Sequence, residues 1–166
     1  MRKLGALLIS CLLFIVLFQG CGNSNTSIET TDLGNIEIDN ISIGTSSAEV
    51  NFDIYTESDR YSGDYKYIYD EIVMGENEST NKINYIFSRF DEDKTTISIN
   101  NNSQLKTIQD ISNILGKNYN EKWEDREQGL KSHVYYDNMR NIKAEFIYVS
   151  YDNSLSWIRI SKLNKN

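Results

Sequence analysis

Asn84-Tyr-Ile-Phe-Ser-Arg-Phe-Asp-Glu-Asp-Lys-Thr-Thr-Ile-Ser-Ile99 aligns without a gap on Glu145-Phe-Ile-Tyr-Val-Ser-Tyr-Asp-Asn-Ser-Leu-Ser-Trp-Ile-Arg-Ile160, at an offset of 61 positions. Ile86/Ile147, Asp91/Asp152, Ile97/Ile158 and Ile99/Ile160 are identical, and aromatic meets aromatic at Tyr85/Phe146, Phe87/Tyr148 and Phe90/Tyr151. Internal self-similarity of this kind marks a structural unit used twice. Alternating apolar residues on both sides of a polar aspartate turn read as a hairpin, so each copy predicts strand, turn and strand.

Working outward, the same offset relates Ser46 to Thr107. Thr107-Ile-Gln-Asp110 opens a short amphipathic helix, with Ile108, Ile111, Ile114 and Leu115 on one stripe and Gly116 just past the end. Thr107 can cap the first free N–H groups, and Asp110 suits the positive end of the helix dipole. Ser46-Ser-Ala-Glu49 has the form of a capping box at the matching place. The repeat therefore favours a helix there, whereas Val50, Phe52 and Ile54 alone alternate like a strand. Tyr65-Lys-Tyr-Ile-Tyr-Asp70 matches Ser132-His-Val-Tyr-Tyr-Asp137 as a middle strand, and Ile36, Ile38, Ile41 and Ile43 form a lead-in strand bent near Asp39-Asn40.

The expected fold class is α+β: two helix–strand–hairpin repeats, about 41–101 and 102–163, forming an antiparallel sheet with helices on one face. This pattern resembles the β-lactamase-inhibitor-protein-like fold, in which tandem repeats lay helices on one sheet. The resemblance covers roughly residues 41–163 and implies a binding or assembly role without a cofactor. A cystatin-like or nuclear-transport-factor-like cone of curved sheet around a helix is the alternative. Fold likeness alone carries little about function.

The first twenty residues have another character. Arg2 and Lys3 precede an apolar stretch from Leu4 to Phe18, and a polar run follows Cys21. This is the pattern of an export signal at 1–20 that is removed. The apolar run is about 15 residues, short of the roughly 20 that cross a bilayer as a helix, which disfavours an uncleaved anchor. Leu17-Phe18-Gln19-Gly20-Cys21 resembles the lipobox of bacterial lipoproteins, departing from it at Phe18, where the family usually has Leu. Leu8-Ile9-Ser10-Cys11 fits letter by letter, but cutting there would leave Leu12 to Phe18 exposed at the new N-terminus. The resemblance implies lipid on Cys21 and a location on the extracytoplasmic face of the cell membrane; the polar run after it reads as a flexible tether over 21–35, which leaves one domain over 36–166. Cys11 and Cys21 are the only cysteines, so lipidation leaves neither a disulfide nor a catalytic thiol. Two acyl chains anchor stably where one binds only marginally.

Taking Arg2 and Lys3 from the 17 basic residues leaves 15 against 24 acidic ones. That acidity and the lack of a basic run disfavour nucleic acid as a partner. It would also repel anionic headgroups, so membrane attachment is expected through the N-terminal lipid. Catalytic motifs are missing too. His133 is the only histidine and no Gly-x-Ser-x-Gly elbow accompanies it. One histidine makes a zinc site uncommon, and Asp91-Glu92-Asp93 lacks the ligand spacing of a calcium loop. Glu121, Glu124, Asp125 and Glu127 read as a solvated loop rather than a glycosidase pair. No catalytic residue, metal site or cofactor is assigned.

The eleven tyrosines and two tryptophans are the suggestive group. Tyr61, Tyr65, Tyr67, Tyr69, Tyr119, Trp123, Tyr135 and Tyr136 cluster before or in the middle strand of each unit. Tyr65, Tyr67, Tyr69, Tyr119, Trp123 and Tyr135 form the candidate binding surface, able to anchor a protein or stack on sugars. Trp123 stands out because its neighbours between Asn120 and Asp125 are polar, while Trp157 reads as packing inside a hairpin strand. An envelope protein partner is expected, in a binding, inhibitory or assembly role. Cell-wall glycan or a small ligand is the alternative, and an envelope hydrolase is the reading with least support.

Overall fold

The computed structural model describes residues 30–59, 64–90 and 95–163. The leader, Cys21, Tyr61 and Asp91-Glu92-Asp93 lie outside the described residues. Nine strands run β1 (Ile36–Ile38), β2 (Tyr67–Ile68), β3 (Ile72–Asn77), β4 (Lys82–Arg89), β5 (Ile97–Ile99), β6 (Asn120–Asp125), β7 (Leu130–Asp137), β8 (Ile142–Val149) and β9 (Leu155–Lys162). The α-helix α1 (Ile108–Leu115) lies between β5 and β6. Seven strands form one antiparallel sheet in the order β2-β3-β4-β9-β8-β7-β6, and β1 pairs with β5 in a separate ribbon. The turns use asparagine in a chain without proline: Asn81, Asn141 and Asn153 take the left-handed conformation at the three connections of the β3-β4 and β7-β8-β9 meanders.

The α+β expectation of two helix-bearing repeats is corrected to a mostly β fold with one α-helix among the described residues. In the second unit the helix, the middle strand and the hairpin form as read, but the loop expected between helix and middle strand contains the edge strand β6. Thr107 and Asp110 make a reciprocal capping box, Gly116 ends the helix at φ 83°, and Asp152 holds the β8-β9 turn by accepting from Ser154 N at 2.9 Å. The first unit differs twice. Residues 46–54 make two single 3₁₀ turns, Ser47–Glu49 and Phe52–Ile54, instead of a helix. The start of β4 fixes the entry to this segment: Gly44 N donates to Ile83 O, Ile83 N to Thr45 O, and Ser47 N to Asn81 O. Beyond it only single turns close, with Glu49 N on Ser46 O and Tyr55 N on Phe52 O. The hairpin read from Asn84 to Ile99 is also replaced. β4 takes β9 as its partner, with Ile86 opposite Ile160 and Ser88 opposite Ile158, and β5 leaves to pair with β1. Both β4 and β8, the two copies of one sequence, flank β9.

Directly opposed residues of antiparallel neighbours share a face of the sheet. One such row is Tyr67, Met74, Ile86, Ile160, Ala144 and Tyr135; a second joins Ile72, Ser88, Ile158, Phe146 and His133. This face is covered. Ile108, Ile111 and Leu115 of α1 pack on it together with Leu33, Ile36, Ile38, Ile97 and Ile99 in a single core. The lead-in strand bends at Asp39 and Asn40 as its sequence requires, and Ile38 bridges back to Ile41. No helix of the described residues is long and apolar enough to cross a membrane.

Candidate functional site

The reverse face of the sheet carries different chemistry. Its rows are Val73, Phe87, Arg159, Glu145 and Val134, then Arg89, Trp157, Ile147, Ser132 and Lys122, and then Tyr85, Ser161, Lys143 and Tyr136. Val73, Val134 and Ile147 are buried, yet they stand outside the core built on the other face. Large side chains shelter them: Phe87, Trp157, Tyr85 and Tyr136 are each half-buried. Such a surface is apolar at its base and amphipathic on top, a composition common at protein interfaces.

At its centre sits Glu145, whose side chain is only 8% exposed. Lys122 Nζ donates to it at 2.7 Å, Lys143 Nζ lies 3.4 Å away, and Arg159 Nε is 3.3 Å away but off the hydrogen-bond line. Arg159 turns its other end to Glu124, donating from Nη2 at 2.6 Å. Burial pushes the Glu145 carboxyl up, but the Lys122 hydrogen bond and the charges of Arg159 and Lys143 outweigh it and hold the group below its ordinary value. On β4 and β6–β9 this face thus presents Arg89, Lys122, Lys143 and Arg159 against Glu124, Asp125 and Glu145, four cations to three carboxylates, a slight cationic excess on an acidic chain. Ser132 Oγ, also buried here, has no hydrogen-bond partner among the described residues.

The candidate aromatic residues do not form one surface. Tyr135 is fully buried, its hydroxyl donating to Gly116 O at 3.0 Å, and burial pushes its pKa up to about 12. Tyr67 stacks on Phe52 with ring centroids 4.2 Å apart, and Tyr69 lies 5.4 Å from Tyr55; all four pack against the core. Tyr119 is packed against the core too, stacked on His133 at 3.5 Å. Only Tyr65 and Trp123 are exposed, 43% each. Tyr65 stacks on Tyr85 at 4.4 Å above Gly75, where a Cβ would meet Asn84 Oδ1 at 2.9 Å. Trp123 belongs to β6 at the opposite sheet edge, with Lys131 Nζ 5.0 Å and Arg126 Cζ 5.8 Å from its ring. The loop expected around it is an edge strand, fixed by the Lys131–Glu121 and Lys122–Glu145 cross-strand pairs.

His133 comes closest to a catalytic arrangement. Its Nε2 is 3.5 Å from Glu121 Oε2, and its Nδ1 is 3.5 Å from Ser112 Oγ. Those separations are long for hydrogen bonds. The Ser112 hydroxyl donates instead to Ile108 O at 3.0 Å, and both residues are buried. Burial lowers the His133 pKa, so the ring is neutral at pH 7, wedged between Tyr119 and the edge of Tyr148. The geometry suits a polar plug in the core, with the Ser112 hydroxyl already given to the helix backbone. Among the described residues, no group of three His, Cys, Asp or Glu side chains is placed to hold a metal ion.

No family model, curated protein or solved structure matches this chain. Its function therefore has to be argued from its own surfaces. The uncovered face was hard to find in the sequence, because Trp157 and Phe87 sit in strands that read as packing. The one available signal was the pair of charges Glu145 and Arg159 inside otherwise apolar strands, where a charge without a purpose is costly.

Proposed function

We propose that this chain is a non-catalytic, lipid-anchored lipoprotein of the extracytoplasmic cell envelope, and that its uncovered sheet face binds an envelope protein. The observation carrying the binding reading is this face itself, which no described element covers: half-buried aromatics around a charged centre, backed by a core of described residues on the other side. A single sheet stabilises itself adequately with one covered face, so the other can serve recognition. The cationic excess selects a partner with an acidic surface, since opposed charge guides encounter and register. The lipid-anchor reading rests on the leader and Cys21. Glycan binding is a second reading, favoured by the exposed Tyr65–Tyr85 stack beside Asp64, Glu76 and Asn84, because flat sugar faces stack on such rings.

The test is photocrosslinking in intact cells from Trp157 and, separately, from Tyr65. One protein adduct from Trp157, lost in the folded double variant Lys122→Glu/Arg159→Glu, supports the protein-binding reading. Adducts only from Tyr65, and only to peptidoglycan fragments, would replace it with the glycan reading. Cys21→Ala should release the protein from membranes; retention would overturn the lipid anchor.

A further inference from the structure

Resting on the lipid-anchor reading above, we infer that the β7-β8 hairpin tip is the end of the domain that meets the bilayer, with Met139 lying at the lipid headgroup boundary. The first described residues are tied to this tip. Thr31 N donates to Tyr136 O at 2.8 Å, Asn138 N to Thr30 Oγ1 at 2.9 Å, and Leu33 N to Asp137 Oδ2 at 3.2 Å. Arg140 completes the fastening with Nη1 donating to Asp32 at 2.9 Å and to Asp137 at 3.1 Å. A lipid on Cys21 is joined to Thr30 by nine residue steps, which span about 30 Å when fully extended. A chain running from Cys21 therefore enters the domain at this tip.

The tip has the chemistry of a membrane contact. Met139 is 83% exposed. Behind it lie the Arg140 guanidinium, its charge met by Asp32 and Asp137, and the Lys162 ammonium, whose Nζ donates to Arg140 O at 2.6 Å. An exposed apolar residue ahead of a charge-balanced polar layer suits the boundary between acyl chains and headgroups. One methionine is too little to bind a membrane from free solution. Tethering changes this, because contact becomes an intramolecular event at high effective concentration.

The opposite end offers a built-in control. The β8-β9 turn carries Tyr151, which is also 83% exposed, and lies beside the β6-β7 turn through Ser150 N donating to Gly129 O at 2.8 Å. β7 and β8 have eight residues each. At the rise of an antiparallel strand, this places Tyr151 about 25 Å from the Met139 end. The domain stands on the β7-β8 tip and offers its uncovered face sideways, clear of the lipid.

The lipidated protein provides a clean assay, since acylation of Cys21 leaves no free thiol. Met139→Cys and Tyr151→Cys variants, each labelled with an environment-sensitive fluorophore, are reconstituted into phosphatidylcholine–phosphatidylglycerol vesicles containing a doxyl-lipid quencher. The label at 139 should shift to the blue and be quenched several-fold more than the label at 151. Equal quenching, or stronger quenching at 151, in protein that floats with the vesicles overturns the orientation while leaving the anchor intact. Protein that does not float, with Cys21 titrating as a free thiol, overturns the anchor and this inference with it.

Discussion

Replacing Glu145 by leucine removes the single carboxylate on which three cations converge. Breaking a fully buried ion pair from one side costs about 3–5 kcal/mol, because the remaining charge is stranded. Here the cations are not fully buried: the side chains of Arg159, Lys122 and Lys143 are 27%, 49% and 30% exposed. Arg159 also keeps Glu124 at 2.6 Å. Solvent and that second partner reduce the loss to about 1–2 kcal/mol. For a domain of this size that lowers the melting temperature by about 3–8 °C. Arg159→Leu alone should cost a similar amount, since it strands Glu145 and Glu124 in part. The double variant Glu145→Leu/Arg159→Leu should be no less stable than either single one, because two leucines beside Phe87 and Trp157 extend an already apolar surface. That corresponds to a coupling of about 1–2 kcal/mol, well above the scatter of independent sites. Urea unfolding of the wild type, both single variants and the double variant at low and high salt measures it. Additive losses, or a Glu145→Leu variant as stable as the wild type, would refute the reasoning. A stable double variant that no longer captures a partner would show that the charges are kept for recognition rather than for folding.

Trp123→Ala should change stability by less than about 1 kcal/mol, the worth of an exposed ring with two nearby cations, as read from thermal unfolding; a larger loss would place the ring in the core. Thr107→Ala should cost about 1 kcal/mol in urea unfolding by removing the capping box, and Thr107→Ser should recover most of it. Acid should destabilise the fold in two stages. His133 is held below its ordinary 6.5, so the unfolded chain binds its proton first; stability falls as pH drops from 6.5 through that lowered value. Glu121 and Glu145 are also held low, so their contribution is present above the ordinary carboxylate value and lost as pH falls through the lowered ones. Unfolding curves at stepped pH should lose the upper stage, and keep the lower one, in His133→Phe.

Apart from the edge strand β6, the second unit was legible because its signals are local. Thr107, Asp110 and Gly116 act on backbone groups within a few residues, and Asp152 closes its turn on Ser154. The first unit was not, because distant partners decide it. Val50, Phe52 and Ile54 offered both strand and helix patterns, and the hydrogen bonds from Gly44, Ile83 and Ser47 gave neither. The β4 sequence promises a hairpin with β5, yet β9 takes its edge with isoleucines at 158 and 160 against Ser88 and Ile86. Local periodicity does not report such a competition between strands. Aromatic placement failed to read through for a related reason. Alternation says that neighbours face opposite ways, but only the register says which way is covered, and Tyr67, Tyr119 and Tyr135 fall on the covered side.

The position of β9 sets the order in which the molecule can come into being. It is the last strand of the described chain and sits fourth of seven in the sheet, between two strands that do not touch each other. While ribosome synthesis has yet to reach Leu155, β4 and β8 each have an unpaired edge rich in β-branched residues, open to any passing strand. The sheet therefore closes in one late event rather than growing outward from its N-terminal half, and loss of the last dozen described residues leaves two separate three-stranded pieces, β2-β3-β4 and β8-β7-β6, instead of a smaller protein. A chain built this way depends on whatever shields it before completion, and its vulnerable period is its own manufacture.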